Sequence, residues 1–259
     1  MNITLLLIDA LNLIRRVYAA QPGDDGPDRV NDALQTSVSS LQRALRECQP
    51  THAISVFDGH ETSWRHSLYS EYKAGREPMP EALCSQMDRF REAFSDAGAR
   101  PVGFSTVEAD DIIATLAVKV ASRGGQVIIL STDKMFLQLA SDLIVVRDHF
   151  QKLNMDQACV TGKLHVRPDQ LVDFFALTGY PGNNIPGVAT VGPKTAARLL
   201  NELEDLDTIL SVAYTIKGKA GEMLCKHAEE ARMSQTLVRL KDDLELGLNL
   251  NLFRYTPHA

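Results

Sequence analysis

VEADDIIATLAVKVAS, residues 107–122, sets three acids at the mouth of an apolar segment. Ile112, Ile113, Leu116 and Val120 recur at helical spacing, which predicts a helix with one buried stripe. A short strand is predicted before it, at 101–104, and another after it, at 126–131. Further out, the apolar runs at 2–8, 52–57 and 143–147 read as strands. Helical spacing covers 11–19, 28–48, 81–97 and 133–140. The run 2–8 is too short for a buried helix, so it predicts a central strand. Strands alternating with helices imply an α/β fold with a mostly parallel central sheet covered by helices.

Acidic residues stand where these elements meet. Asp9 closes ITLLLID, Asp58 closes HAISVFD, and Asp133 follows QVIILST, while Glu108, Asp110 and Asp111 open the helix already quoted. The carboxyl ends of parallel strands converge on one crevice. Carboxylates crowded there repel one another unless cations neutralise them. Hard cations with oxygen ligands, magnesium or manganese, fit that need, and at such sites they usually serve phosphoryl chemistry. Each acid also has a plainer reading. Asp9, Asp58 and Asp133 suit N-caps, Ser105 and Glu108 suit a capping box, and acids in a first turn suit the helix dipole. Acids at four separate strand ends favour a shared site over capping alone. On a regular helix Glu108 and Asp111 share a face, while Asp110 lies about 200° from Glu108. Some of these acids are therefore expected to act through water.

Hydrophobic residues make up 44% of the 259, enough for a real core. The formal charge of −6 argues against a generally basic coat, so individual basic residues matter by position. Cys48, Cys84, Cys159 and Cys225 form no CxxC pair and predict inert thiols in a reducing cytoplasm. No run is long enough for a membrane span, and a monomer is expected.

Residues 59–80, GHETSWRHSLYSEYKAGREPMP, are long for a structureless connection and predict a functional insertion. Lys73 and Arg76 could hold phosphates that the acids would repel, and Tyr72 could stack on a base. A solvated polar loop is the plainer alternative. Arg15 and Arg16 read as a helix face with some reach toward nucleic acid. After about residue 165 helical spacing dominates, giving a core at 1–160 and a smaller helical region at 161–259. Within the latter, GVATVGPKTAARLL at 187–200 pairs a Gly-rich turn with Pro193 at a helix start and Lys194 beside it. Such a hairpin grips a duplex backbone without reading its sequence. An ordinary helix–loop–helix turn is the alternative.

LLIDALNLIRR, VFDGHETSWRHSLYSEYKAGR, VEADDIIATLA, STDK and NNIPGVATVGPKTAARLL occur in the order found in bacterial 5′-nucleases. The chain resembles these flap endonucleases, related to the 5′-nuclease domain of DNA polymerase I, over roughly residues 3–205, and within them the stand-alone exonuclease IX type. The resemblance implies a helical arch at about 59–80 and a helix–three-turn–helix DNA clamp. It implies cleavage at 5′ flaps or 5′ ends of branched DNA with a divalent metal. Asp9, Asp58, Glu108, Asp110, Asp111 and Asp133 match the metal carboxylates, and Lys73 and Arg76 match basic residues near the scissile phosphate. Thr190, Val191, Gly192, Pro193, Lys194 and Thr195 fall in the DNA clamp. The carbonyls of Leu177, Thr178, Pro186, Val188 and Val191 fall where such clamps hold K+. Met135, Tyr180 and Asn183 stand where the family has aspartates, which furnishes one metal site and depletes a second. Thr190 replaces a common glycine, so that turn is expected to differ. A flap-binding protein with weak or no catalysis, or a nuclease for RNA, are the alternative functions.

Overall fold

The structure, a computed structural model, describes residues 3–59 and 61–256. At its centre β1 (Thr4–Asp9) is buried from Leu5 to Asp9. Burying one such aliphatic side chain contributes about 1.5–3 kcal/mol, so this strand anchors the fold. It pairs in parallel with β2 (His52–Val56) on one side and β4 (Gln126–Leu130) on the other. β3 (Arg100–Val102) and β5 (Ile144–Asp148) extend the sheet in parallel. β6 (Leu153–Met155) adds an antiparallel edge, giving the order β3-β2-β1-β4-β5-β6. β6 is not among the expected strands, because three residues carry no readable period.

Strand alternation divides the core into two layers. Leu6, Ile8, Ala53 and Leu130 face α1 (Ala10–Ala20), α2 (Pro27–Cys48) and α5 (Met87–Asp96). Pro27 starts α2 after the turn-rich QPGDDG, where its missing N–H costs nothing. Leu5, Leu7, Ile54, Val56, Val127 and Ile129 face α6 (Ala109–Ala121), and the same apolar cluster takes in the carboxyl-terminal helices α8 (Leu171–Thr178), α9 (Pro193–Leu203) and α12 (Ala228–Val238). That apolar cluster runs without interruption from the sheet into the helical region.

The remaining helices are short: α3 (Trp64–Leu68), α4 (Glu81–Cys84), α7 (Gln157–Leu164), α10 (Leu206–Ser211) and α11 (Lys219–Lys226). The helix expected over 81–97 is thus two helices, interrupted at Ser85 and Gln86. That expected over 133–140 is a 3-10 helix, Lys134–Leu139. In the insertion expected at 59–80, of which residue 60 lies outside the described residues, α3 is followed by turns through Arg76. Among the described residues no helix is long and apolar enough to cross a membrane.

Candidate active site

Consecutive strands run outward from β1 on one side, and from β4 on the other, so the connections diverge between them. A crevice opens at such a switch point, beyond the carboxyl ends of the strands. Asp9 ends β1 there. Its Oδ1 accepts the Asn12 N–H (3.2 Å), capping α1, and its Oδ2 accepts the Ser131 hydroxyl (2.7 Å). Asp58, just past β2, accepts the Ala109 N–H (2.7 Å) at the start of α6. Asp133, beyond β4, accepts the Met135 N–H (2.8 Å). Asp110 joins them from the first turn of α6. Asp9 and Asp133 thus cap the helices that follow them and Asp58 caps the start of α6, not its own following helix, while all three line one cavity; Glu108 makes no side-chain cap bond to α6.

That cavity measures about 440 Å³. Asp9, Asp58, Asp110 and Asp133 line it, with Lys73, Arg76, Arg15 and Arg16 among its walls. Burial, reinforced by repulsion from Asp58 and Asp133, pushes the Asp9 carboxyl up to about 7. Burial also raises Asp110, and Asp133, Asp9 and Asp58 add to the rise while Lys73 opposes it. Among the described residues no three acidic, His or Cys side chains converge closely enough to hold one ion directly. The all-oxygen donor set, its mutual repulsion and the room in the cavity fit a hard cation that keeps part of its water shell.

Glu108 and Asp111, expected beside these four as metal carboxylates, turn away from the cavity. Both face Arg65, whose side chain is fully buried. Arg65 Nη1 donates to Glu108 Oε2 (2.9 Å) and Asp111 Oδ2 (2.9 Å), Nη2 donates to Asp111 Oδ1 (2.7 Å), and Nε donates to the Leu237 carbonyl (2.9 Å). Burial alone would raise Glu108, but Lys73 and Arg65 hold it below the usual carboxylate range. The roughly 200° between Glu108 and Asp110 on the helix is what separates the two groups. Tyr72 also departs from the expected stacking role. It is 1% exposed, and its hydroxyl donates to Glu108 Oε2 (3.1 Å), so it cannot stack on a base. Lys73 lines the cavity and also reaches Glu108 (3.3 Å).

Met135, Tyr180 and Asn183 form an internal network. The Tyr180 hydroxyl, its proton held tightly by burial and by Asp133, donates to Asp133 Oδ1 (2.6 Å). Asn183 Nδ2 faces Met135 Sδ (3.0 Å), and Asn183 Oδ1 accepts from Arg76. Beyond it, Gly187 lies so close to Thr178 that an added Cβ would fall 2.7 Å from the Thr178 carbonyl oxygen. The Leu177 carbonyl accepts the Val188 N–H (2.8 Å), and the Val188 carbonyl accepts the Val191 N–H (3.0 Å). The glycine-like turn is kept despite the substitution: Thr190 adopts φ +71. Gly192 caps α9, Pro193 begins it, and both are exposed with Lys194, whereas Val191 is buried and can offer only backbone.

Arg65 escapes sequence reasoning, because a basic residue in a polar insertion carries no sign of burial. Arg15 and Arg16 count for more than a helix face. Their place in the second turn of the helix capped by Asp9 is the signal that brings them to the cavity.

Residues 4–165 match the family described as 5′-3′ exonuclease, N-terminal resolvase-like domain, and residues 166–259 match 5′-3′ exonuclease, C-terminal SAM fold. Flap endonuclease Xni of Photobacterium profundum is 44% identical over 257 residues, covering 98% of each chain. Flap endonuclease Xni of Klebsiella pneumoniae is 42% identical over 258 residues, 99% of this chain and 100% of that one. Among solved structures, the T5 D15 protein co-crystallised with metal ions superposes with a TM-score of 0.74 at 21% identity, covering 92% of this chain and 90% of that one. The catalytic core of Rad2 in complex with DNA substrate gives 0.64 at 13% identity, covering 98% and 83%. These two likenesses establish the shared fold.

Proposed function

The chain belongs to the 5′-3′ exonuclease family, and from that premise we propose a structure-specific, divalent-metal-dependent DNA nuclease that cuts 5′ flaps or 5′ ends of branched DNA. The observation that carries this reading is the single cavity in which Asp9, Asp58, Asp110 and Asp133 face Lys73 and Arg76. These acids would hold magnesium or manganese, in part through water, and the ion would supply positive charge for the scissile phosphate and a more acidic water. The carboxylates would furnish ligands for one such ion. Met135, Tyr180 and Asn183 offer no carboxylate for a second.

Lys73 and Arg76 offset the charge that develops on the phosphate oxygens. Arg15 and Arg16, in the wall of the same cavity, extend the positive rim toward the strand. The backbone N–H groups of Gly192, Lys194 and Thr195, with the Lys194 ammonium, meet the duplex phosphates, giving grip without base readout. Potassium at the carbonyls of Leu177, Thr178, Pro186, Val188 and Val191 would stiffen that hairpin. The Leu177 and Val188 carbonyls would use their second lone pairs. The free thiols fit the reducing cytoplasm expected from the sequence.

A 5′-labelled flap substrate tests the reading directly. Magnesium is expected to produce release of the flap, and a chelator is expected to stop it. Tight flap binding with no cleavage in magnesium or manganese would leave a binding protein instead.

A further inference from the structure

Lys73 and Arg76 stand on a run of turns whose own backbone bonds are short-range, Ala74 N–H to the Glu71 carbonyl (3.0 Å) and Arg76 N–H to the Lys73 carbonyl (3.0 Å), and Lys73 itself takes φ +59. The turn is held from outside, by residues 182–184. Asn183 carbonyl accepts the Lys73 N–H (2.8 Å), Gly182 carbonyl accepts Arg76 Nε (2.9 Å), and Asn183 Oδ1 accepts Arg76 Nη2. Asn184 Nδ2 donates to the Glu71 carbonyl (2.7 Å). Asn183 is fully buried, so its amide has no solvent to turn to. Three residues earlier, the Tyr180 hydroxyl holds Asp133. The same segment closes on itself, with Tyr180 N–H donating to the Ile185 carbonyl (2.9 Å), and runs straight into the hairpin at 187–192.

We propose that Asn183 is a positioning residue. It sets the Arg76 guanidinium and the Lys73 backbone over the acidic cavity, and so ties the placement of both cations to the hairpin that meets the duplex. This deepens the nuclease reading and rests on it. Small displacements of groups that must meet a reacting centre cost up to about 100-fold in rate. Groups acting through one another show non-additive losses.

The test measures single-turnover cleavage of a 5′-flap substrate in magnesium by the wild-type protein, Asn183→Ala, Arg76→Ala and the double variant. Asn183→Ala is expected to slow cleavage about 10- to 100-fold while flap affinity in chelator changes less than about twofold. The double variant is expected to be no slower than the slower single one. Asn183→Asp, which keeps an acceptor for Arg76, is expected to recover most of the loss. Amide exchange at residues 74–76, which needs no cleavage, is expected to quicken several-fold in Asn183→Ala, whereas the Lys73 N–H keeps its main-chain acceptor. Multiplying losses in the double variant, a loss confined to affinity, or unchanged exchange would overturn the proposal. A wild-type protein that binds the flap without cutting it would overturn the nuclease reading, and the exchange comparison would still decide whether Asn183 holds the turn.

Discussion

Glu108 and Asp110 stand two residues apart at the start of one helix and end in opposite electrostatic settings. Glu108, with Asp111, meets a buried arginine and sits below its ordinary range. Asp110, with Asp9, Asp58 and Asp133, meets other acids and sits above it. The first group is satisfied by the chain itself. It joins the insertion at Arg65 to α6 and to the backbone at Leu237 and Arg239. The second group is left in mutual repulsion that a bound cation or a proton relieves. Folding and chemistry are thus served by adjacent residues of the same kind, and helical phase decides which serves which.

The contrast is most easily broken at Asp110. Asp110→Ala is expected to lower magnesium-dependent flap cleavage by about a thousandfold or more, since metal-derived stabilisation of charge amounts to several kcal/mol. The folded state should survive. A variant that keeps more than about a tenth of wild-type activity would remove Asp110 from the centre of the site.

The matching change in the other group should act on stability. Arg65→Met leaves Asp111 buried without a counter-charge and Glu108 with Lys73 alone, a loss of about 3–5 kcal/mol. Chemical denaturation reads it. Arg65→Lys should recover only part, because one ammonium cannot reproduce the fork that engages both carboxylates. An effect below about 1 kcal/mol for Arg65→Met would show that the cluster is not a structural tie.

Most of the fold is readable in the sequence. The buried run at Leu5–Ile8 and the stripe of α6 each have one periodicity to obey, and the parallel alternation follows. β6 and the break at Ser85–Gln86 are not readable, because neither has a pattern longer than a few residues. For the site, Asp9, Asp58 and Asp133 can be placed because a strand end fixes where a residue lies. Glu108, Asp111 and Tyr72 cannot, because their surroundings depend on Arg65, which arrives from an aperiodic insertion 43 and 46 residues before those two acids. The turn at Thr190 also departs from expectation: it keeps φ +71 against the local preference of a β-branched residue.

The two groups should also respond to pH with opposite sign. Asp9 rises from an ordinary 3.8 to about 7 in the folded chain. Between those values the folded protein holds a proton that the unfolded chain has lost, so this group's contribution to stability falls as pH rises through the window. Glu108, held low, contributes stability that is present above its ordinary value and is lost as pH falls. Calorimetry on the metal-free protein should show melting temperature falling by a few degrees from about pH 5 to about pH 8, and magnesium should restore it. Asp110→Asn should raise the metal-free melting temperature at about pH 8 and blunt the magnesium response. A rise in stability across that window without metal would contradict the assigned repulsion.

The smallest effect concerns the hairpin. Thr190 is β-branched and exposed, yet holds φ +71, a conformation that costs a residue with a Cβ about 1–2 kcal/mol. Thr190→Gly removes that cost but gives the unfolded chain about 0.5–1 kcal/mol of extra freedom. The strain term wins by a margin under about 1 kcal/mol, so the melting temperature should rise by about 1–3 °C. A fall instead would mean that the threonine side chain makes a contact worth more than its strain, and that the hairpin is stabilised by the very substitution that burdens its backbone.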